Sequence, residues 1–176
     1  MTTDHELIQS VIETLSQGEI LLGEITDEAY TRKVAVAFNA SLGGHYRHCL
    51  DHFATLLAAA VAGDLNYDHR ERGTLVENDR FAALNETRRL RAGFAELHPA
   101  LLARPLNVTC KTCYATSGSQ VSPSTVGREV MYAVAHAVHH YALIGIMAGI
   151  MGVKLPAGFG VAPSTLKYQA QTASAR

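Results

Sequence analysis

The sequence predicts an all-α protein: an antiparallel four-helix bundle with a short insertion before the last helix and an irregular C-terminal tail. Apolar residues recur at helical spacing over four long segments. Long amphipathic helices commonly bury their apolar faces by packing against one another in a bundle. The 176 residues fit a single domain, residues 1–176, which is long enough to bury its own core.

The first two predicted helices have recognisable ends. The first covers Thr3–Gly23 and places its apolar residues on one side. Residues 24–40 mix charged and small side chains and are expected to form a loop. Ser41 is the expected N-cap of the second helix, Leu42–Ala62, and the glycine that follows ends it.

A charged loop is expected over residues 64–74, ahead of the third helix. That helix opens at Thr74 or Glu77 and runs to about Leu97, where a His-Pro pair stops it. Thr, Val, Ser and Cys are frequent over residues 105–125, which predicts a short hairpin or an ordered loop.

The fourth predicted helix begins after Ser124 or Thr125 and continues to about Met151. Glu129 falls near its start, where a carboxylate suits the helix dipole. Residues 152–169 contain prolines and several glycines, which predict an irregular tail.

Composition excludes several classes of function. The net charge is −1, Trp is absent and aromatic residues make up 7%, so nucleic-acid binding is not expected. The longest apolar run, Tyr141–Val153, has thirteen residues, whereas a membrane-spanning helix needs about twenty. The N-terminus lacks the basic start and apolar run of a secretory signal, and three cysteines do not make a disulfide framework. We expect a cytoplasmic protein with no membrane partner.

Histidine is the unusual component, with nine residues, and six of them fall on two predicted helices. At about 100° per residue, the three on the second helix form one stripe at the edge of its apolar face. The fourth helix carries an i, i+4 pair whose face also holds apolar residues. These residues are His45, His48 and His52 on the second helix, and His136, His139 and His140 on the fourth.

Two imidazoles from one helix and one from a facing helix can hold a divalent metal ion and leave positions open to water or substrate. His136 and His140 form the pair, and spacing alone does not choose between His48 and His52 as the third ligand. His139 points about 100° away from His140, so it is not expected on the same ion. The alternative is that these are hydrogen-bonded core residues, since a single inward-facing histidine usually is one and surface histidine pairs at this spacing are common.

The patterns His48-Cys-Leu-Asp51 and His136-Ala-Val-His139-His140 resemble those of the DinB/YfiT-like superfamily. The resemblance implies a four-helix bundle in up-down-down-up order. It also implies a divalent metal held by His48, His136 and His140, with His52 and His45 as less favoured ligands. Asp51 is either an acceptor that holds a ligand imidazole or a solvent-facing charge.

The resemblance also implies chemistry. Characterised members transfer or isomerise conjugates of low-molecular-weight thiols, or form the iron-binding domain of ergothioneine-synthesising enzymes. The family often has HHRGQ at the second ligand, whereas this chain continues with Tyr141, Ala142 and Leu143 after His140. Any substrate role of that Arg and Gln therefore does not transfer.

Other candidate chemistry carries less weight. Cys110 and Cys113 form a CxxC without the strand–helix setting of a redox pair or the second pair of a zinc knuckle. We interpret them as two unrelated cysteines in a hairpin. A polar cluster follows the second helix and can reach over the open side of the site, although a solvated loop is favoured. It contains Tyr67, Asp68, His69, Arg70, Glu71 and Arg72.

Three functions are consistent with these observations. The first is a metal-dependent enzyme that activates water or a small thiol, either a hydrolase or a thiol S-transferase with a small-molecule substrate. The second is a metal-binding module without turnover. The third is an interaction bundle, with residues 7–22 and 143–151 supplying a homodimer face. Three imidazoles suit zinc, nickel, iron or copper, so the sequence does not name the metal, and no catalytic residue is assigned.

Overall fold

Helices account for most of this computed structural model, which describes residues 3–68, 74–115 and 117–174. Helix α1 packs against α5 and α6, and α3 packs against the same two helices. Within the described residues the helices are α1 (Thr3–Glu24), α2 (Asp27–Thr31), α3 (Leu42–Ala62), α4 (Leu75–Asn78), α5 (Arg80–Ala95), α6 (Val126–Ile150) and α7 (Pro163–Ser174).

The second predicted helix is confirmed with both of its ends. The Ser41 hydroxyl accepts a hydrogen bond from the Gly44 backbone N–H at 3.1 Å and caps the start of α3. Gly63 follows the last residue with φ of 97°, a left-handed conformation that favours glycine. These two caps set which residues of α3 face the core, and they therefore set where its histidines lie.

A small sheet corrects the all-α prediction. Its three strands are β1 (Asp64–Asn66), β2 (Pro105–Cys110) and β3 (Gln120–Thr125). Strands β2 and β3 pair antiparallel, which confirms the predicted hairpin, and β1 pairs parallel with β2. The expected loop after α3 is therefore wrong at its start, because Leu65 is buried and its three-residue strand pairs with β2, where Val108 lies opposite Leu65.

The expected loop over residues 24–40 also contains helical structure. The Thr26 hydroxyl accepts from the Ala29 N–H at 3.1 Å and starts α2, and Ala35–Ala37 forms a 3-10 helix. The third predicted helix is divided, because Asp79 is extended and its carboxylate caps α5 by accepting from Phe81 N–H at 2.8 Å. A second 3-10 helix, Pro99–Ala103, follows α5.

The C-terminal tail is irregular only in its first part. Residues 163–174 form α7, contrary to the prediction of an irregular tail. Pro163 opens this helix, and its fixed φ suits the first helical turn. Every residue of α7 is exposed, so local preference rather than core packing determines this helix.

Helix α6 is the one helix of the described residues that is long and apolar enough to cross a membrane. By itself this is weak evidence, because the core helix of a soluble protein passes the same test. One face of α6 is buried against α1 and α3, and the helix also carries His136, His139 and His140.

The four long helices meet around two fully buried tyrosines. The Tyr46 and Tyr141 rings stack with their centroids 6.0 Å apart. The Tyr46 hydroxyl lies 2.7 Å from the Thr87 hydroxyl on α5, and the Tyr141 hydroxyl donates to the Thr14 carbonyl on α1 at 3.2 Å. Both hydroxyls are thus satisfied without water.

Gly18→Ala is expected to destabilise the protein by about 1–3 kcal/mol, because there is no room for a β-carbon. That atom would overlap the Tyr46 hydroxyl and lie 2.7 Å from the Tyr141 hydroxyl. Gly23→Ala is the matched control on the same helix, since nothing lies within 4 Å of its β-position. Removing that glycine is expected to stabilise by about 0.5–1 kcal/mol. Urea unfolding measures both, and equal effects at the two positions would contradict this packing.

Candidate metal centre

Three histidines from two helices come together in one cluster. Each of His48, His136 and His140 offers one ring nitrogen, and these nitrogens lie within 4.8 Å of one another. The Nε2 atoms of His48 and His136 are 2.9 Å apart. All three side chains are half-buried. The structure therefore brings together the three residues that the family resemblance selected, and their role as ligands remains a prediction.

The two helices fix this arrangement. His136 and His140 are one helical turn apart on α6, and their ring centroids are 4.6 Å apart. His48 lies on α3, and its ring meets the His136 and His140 rings edge to face at 4.9 and 4.7 Å. Because α3 and α6 pack against each other along this side, the three imidazoles converge between them.

The donor set fits a divalent transition metal. Zinc–nitrogen bonds of about 2.0–2.1 Å in a tetrahedral site place two ligand nitrogens about 3.3 Å apart. The nitrogens of the cluster are within 4.8 Å of one another and those of His48 and His136 are 2.9 Å apart, so the rings would adjust their positions to hold one ion. Three neutral imidazoles suit zinc, nickel, iron or copper, and a three-histidine set leaves coordination positions open, as in catalytic zinc sites.

His45 lies directly beside the cluster. Its Nδ1 is 2.9 Å from Nδ1 of His140. Burial lowers the pKa of His45, and nearby His139 lowers it further. His139 itself is exposed, in agreement with its predicted direction away from the pair. A ring contact at Nδ1 leaves the opposite nitrogen of His140 for an ion, which is how ligating histidines are usually oriented.

His52 packs behind the cluster. It is only 4% exposed, and its ring lies 4.7 Å from the His48 ring and 4.3 Å from the His136 ring, centroid to centroid. On its other side it stacks on Tyr67 at 4.6 Å. Sequence reasoning placed His52 among the less favoured ligands, and its ligand role remains untested.

Asp51 forms an ion pair with Arg47, with Oδ2 and Nη1 2.5 Å apart. The same guanidinium contacts Glu77 through Nε at 3.2 Å. Asp51 and Glu77 thus compensate the charge of Arg47 beside the cluster. The expected role of Asp51 as an acceptor for a ligand imidazole is still a prediction.

Glu129 does more than the predicted stabilisation of the helix dipole. It is 1% exposed and accepts hydrogen bonds from the Tyr67 hydroxyl at 2.9 Å, the Ser124 hydroxyl at 2.6 Å and Arg128 Nη1 at 2.8 Å. Burial, followed by the Glu129 charge, raises the pKa of Tyr67. The Tyr67 hydroxyl therefore stays protonated and donates to Glu129.

Tyr132 completes an aromatic wall around the cluster and was not selected from the sequence. Its ring stacks on His136 at 5.6 Å and contacts Tyr67 at 5.5 Å. Tyr132 lies one helical turn before His136 on α6, and this spacing is the sequence signal that could have placed it beside the cluster. The predicted polar cluster is only partly visible: Tyr67 and Asp68 are described, whereas His69, Arg70, Glu71 and Arg72 lie outside the described residues.

A cavity of about 270 Å³ opens onto the cluster and gives a small molecule access to it. His48 and His140 line it together with Arg47. A ligand in this cavity would contact the edge of the histidine cluster directly. The lining residues are Ala40, Gly44, His45, Arg47, His48 and His140.

The three cysteines lie in different surroundings. Cys110 ends β2, Cys113 is exposed in the hairpin, and Cys49 is buried on α3 beside His48. The CxxC is therefore in the hairpin that the sequence predicted. Cys49 is 1% exposed and belongs to the hydrophobic core.

Alkylation of Cys49 is expected to be slower in the native protein than in guanidinium by on the order of 100-fold or more at pH 8. Burial raises the pKa of this thiol, and the Asp51 charge raises it further. A raised pKa leaves less of the reactive thiolate at any given pH. Iodoacetamide labelling with peptide mass mapping measures the rate, and exposed Cys113 reports the reagent's activity. Equal native and denatured rates at Cys49 would contradict its burial.

Fold and site together define a class: a mostly helical protein with a half-buried three-histidine cluster that can hold a metal ion. More particularly, the chain has the DinB-like fold. It superimposes on the crystal structure of YjoA, a DinB-like protein from Bacillus subtilis, with a TM-score of 0.63 and 18% identity, over 88% of this chain and 98% of that one. The predicted resemblance is confirmed at the level of fold.

The sequence comparisons add one relative. The chain is 36% identical over 111 residues to FK506-binding protein 5 of Rhizopus delemar. This aligned segment covers 63% of this chain and 29% of that protein. The match therefore spans less than a third of that protein's length. No family model matches the chain.

Proposed function

We propose that this protein is a metal-dependent enzyme of the DinB-like superfamily that acts on a low-molecular-weight thiol or on water. One observation supports it above all: His48, His136 and His140 offer three nitrogens within 4.8 Å of one another beside an open cavity. In this proposal α1, α3, α5 and α6 form the superfamily's four-helix bundle, and the three histidines hold one divalent ion.

The bound ion would supply Lewis acidity, which lowers the pKa of a thiol or water in the open position. The protein's residues orient and enclose the reactants. His45 holds the His140 ring through its Nδ1 contact at 2.9 Å. His52 and Tyr132 contact each other, and both pack against the His136 ring. In an S-transfer the thiol sulfur bonds to a carbon of the electrophile, the leaving group departs with the bonding electrons, and the thiol proton goes to solvent.

Metal content tests the ligand assignment. Untagged protein reconstituted with zinc, nickel or ferrous iron is expected to hold about one ion per chain by elemental analysis. His48→Ala, His136→Ala and His140→Ala are expected to lose it. His139→Ala is the matched control, since it removes an exposed imidazole next to a ligand. Full stoichiometry in the three ligand variants would overturn the assignment.

Turnover is tested separately with the reconstituted protein. A small thiol such as cysteine and the electrophile 1-chloro-2,4-dinitrobenzene give a coloured thioether and chloride. Metal-dependent product formation that is lost in His136→Ala supports the proposal that the protein is a metal-dependent enzyme. Stoichiometric metal without turnover, here or in ester hydrolysis, would favour the second candidate, a binding module. The match to a segment of a longer fungal protein is what favours that candidate.

The remaining expectations belong to the same proposal. We also propose a cytoplasmic homodimer that acts on a small molecule. The net charge of −1 gives no electrostatic reason to expect a nucleic-acid partner. The apolar side of α1 is not available for the dimer face, because Leu15, Leu21 and Leu22 are buried in the protein's own core. The exposed apolar residues of α6 remain available for it.

A further inference from the structure

A second cavity of about 320 Å³ adjoins the candidate metal centre. Three segments form its walls: the turn at Val36 and Phe38, His45 on α3, and Leu143 and Ile146 in the last turns of α6. Among the described residues that line it, His45 is the one with a polar ring, and the others are apolar. We call this cavity the apolar cleft.

The apolar cleft adjoins the cavity at the histidine cluster. Ala40 and His45 line both of them. His45 in turn lies against His140, with ring centroids 5.2 Å apart. A single small molecule can therefore pass His45 with one end at His48 and His140 and the other end in the apolar cleft.

The rim of the cleft exposes large apolar side chains. Phe38 is 98% exposed and Ile146 is 63% exposed. Phe38 has φ of 55°, a left-handed conformation that is rare for a bulky residue. The turn that carries it is held by the Val34–Ala40 bridge, in which Val34 N–H donates to the Ala40 carbonyl at 2.9 Å. The fold thus keeps an apolar side chain at the mouth of the cleft.

Charge around the cluster narrows the class of ligand further. Arg47 is the cation that lines the cavity at the cluster, and Asp51 and Glu77 pair with it at 2.5 and 3.2 Å. Its charge is therefore compensated, so Arg47 itself offers little attraction to a phosphate or a multiply charged acid. The proposed ion on three neutral imidazoles would supply the remaining positive charge, and one thiolate sulfur would offset part of it.

We infer that the substrate is an uncharged thiol with an apolar chain, whose sulfur reaches the three-histidine centre and whose chain occupies the apolar cleft. This inference rests on the proposed function and names its substrate class. The cleft's volume is at the lower end of the range for small-molecule sites, about 300–1,000 Å³, which suits a short alkyl or aryl chain.

Binding of an alkanethiol series to the cobalt(II)-loaded protein tests the inference. Thiolate-to-cobalt absorption gives a Kd for each thiol from ethanethiol to hexanethiol. We expect Kd to fall about three- to fourfold for each added methylene, since each one buries apolar surface. A Kd that does not depend on chain length, or no thiol binding to the loaded protein, would overturn the inference.

Two matched substitutions on α6 locate the effect. Ile146→Asp places a charge in the cleft, whereas Met131→Asp changes a side chain that is 61% exposed and lines a different cavity with Ser10 and Val138. Ile146→Asp is expected to abolish the chain-length dependence. Met131→Asp is expected to leave the whole series unchanged. An unchanged series in Ile146→Asp would overturn the inference.

Two further readouts separate this inference from its alternatives. If Ile146→Asp converts a dimer to a monomer in sedimentation and the Kd of the wild-type protein does not depend on chain length, the cleft is an interface between copies and the inference fails. If no cobalt binds, the proposed function fails first, and the cleft is then probed in metal-free protein with 1-anilinonaphthalene-8-sulfonate. Weaker fluorescence in Ile146→Asp than in Met131→Asp supports an apolar ligand site, and equal fluorescence overturns it.

Discussion

Zinc at about a thousand times its Kd is expected to raise the unfolding temperature of the wild-type protein by about 8–16 °C. An ion that binds only the folded state at that excess stabilises it by about 4.1 kcal/mol, and each kcal/mol raises Tm by about 2–4 °C in a chain of this size. The unfolded chain does not hold His48 close to His136, since they lie on separate helices. Nearly all of the binding free energy therefore appears as stability.

His136→Ala is expected to abolish most of this zinc-dependent rise, because it removes the central ring of the cluster, which contacts His48, His52 and His140. His139→Ala, on the neighbouring exposed position, is expected to keep the full rise. Thermal unfolding over a range of zinc concentrations gives both curves. A rise that survives in His136→Ala would place the ion elsewhere, with Cys110 and Cys113 as the first residues to substitute.

Sequence reasoning worked best where the structure depends on local interactions. Helix α3 has both predicted ends because Ser41 and Gly63 act within one turn of the helix. The same reasoning missed β1, whose three residues pair with Asn107, Val108 and Thr109 of β2, far along the chain. It also missed α7, because the glycines and prolines that precede this helix dominated the composition of the tail.

The candidate site shows the same division. The i, i+4 spacing of His136 and His140 is a local signal, and the pair does converge with His48. The contact between His45 and His140 depends on how α3 packs on α6, so spacing along α3 could not reveal it. The stacking of Tyr67 on His52 likewise depends on where the chain turns after α3.

Glu129→Ala is expected to destabilise the protein by about 3 kcal/mol and to lower Tm by about 6–12 °C. The substitution removes a buried carboxylate and leaves the hydroxyls of Tyr67 and Ser124 without the acceptor that they share. Each hydrogen bond to a charged group contributes about 1.5–3 kcal/mol, and an orphaned buried donor adds its own cost. Denaturant unfolding of the metal-free protein measures this loss apart from any ion.

Arg128→Ala is the control. It removes the third hydrogen-bond partner of Glu129, and the Arg128 side chain is 64% exposed. Its effect is expected to be smaller than that of Glu129→Ala, because the Tyr67 and Ser124 hydroxyls still donate to the buried carboxylate. A loss as large as that of Glu129→Ala would show that the ion pair, and not the buried hydroxyls, dominates this network.

A double-mutant cycle of Glu129→Gln with Tyr67→Phe then isolates the bond between them. Burial raises the pKa of Tyr67, so its hydroxyl remains a donor throughout the neutral pH range. The cycle therefore measures a single protonation state of Tyr67. A coupling of about 1–2 kcal/mol is expected for a buried charged hydrogen bond. Because Tyr67 stacks on His52, and His52 lies against His48 and His136, losing this anchor should also weaken zinc binding. Coupling without any change in zinc affinity would restrict Glu129 to the stability of the fold.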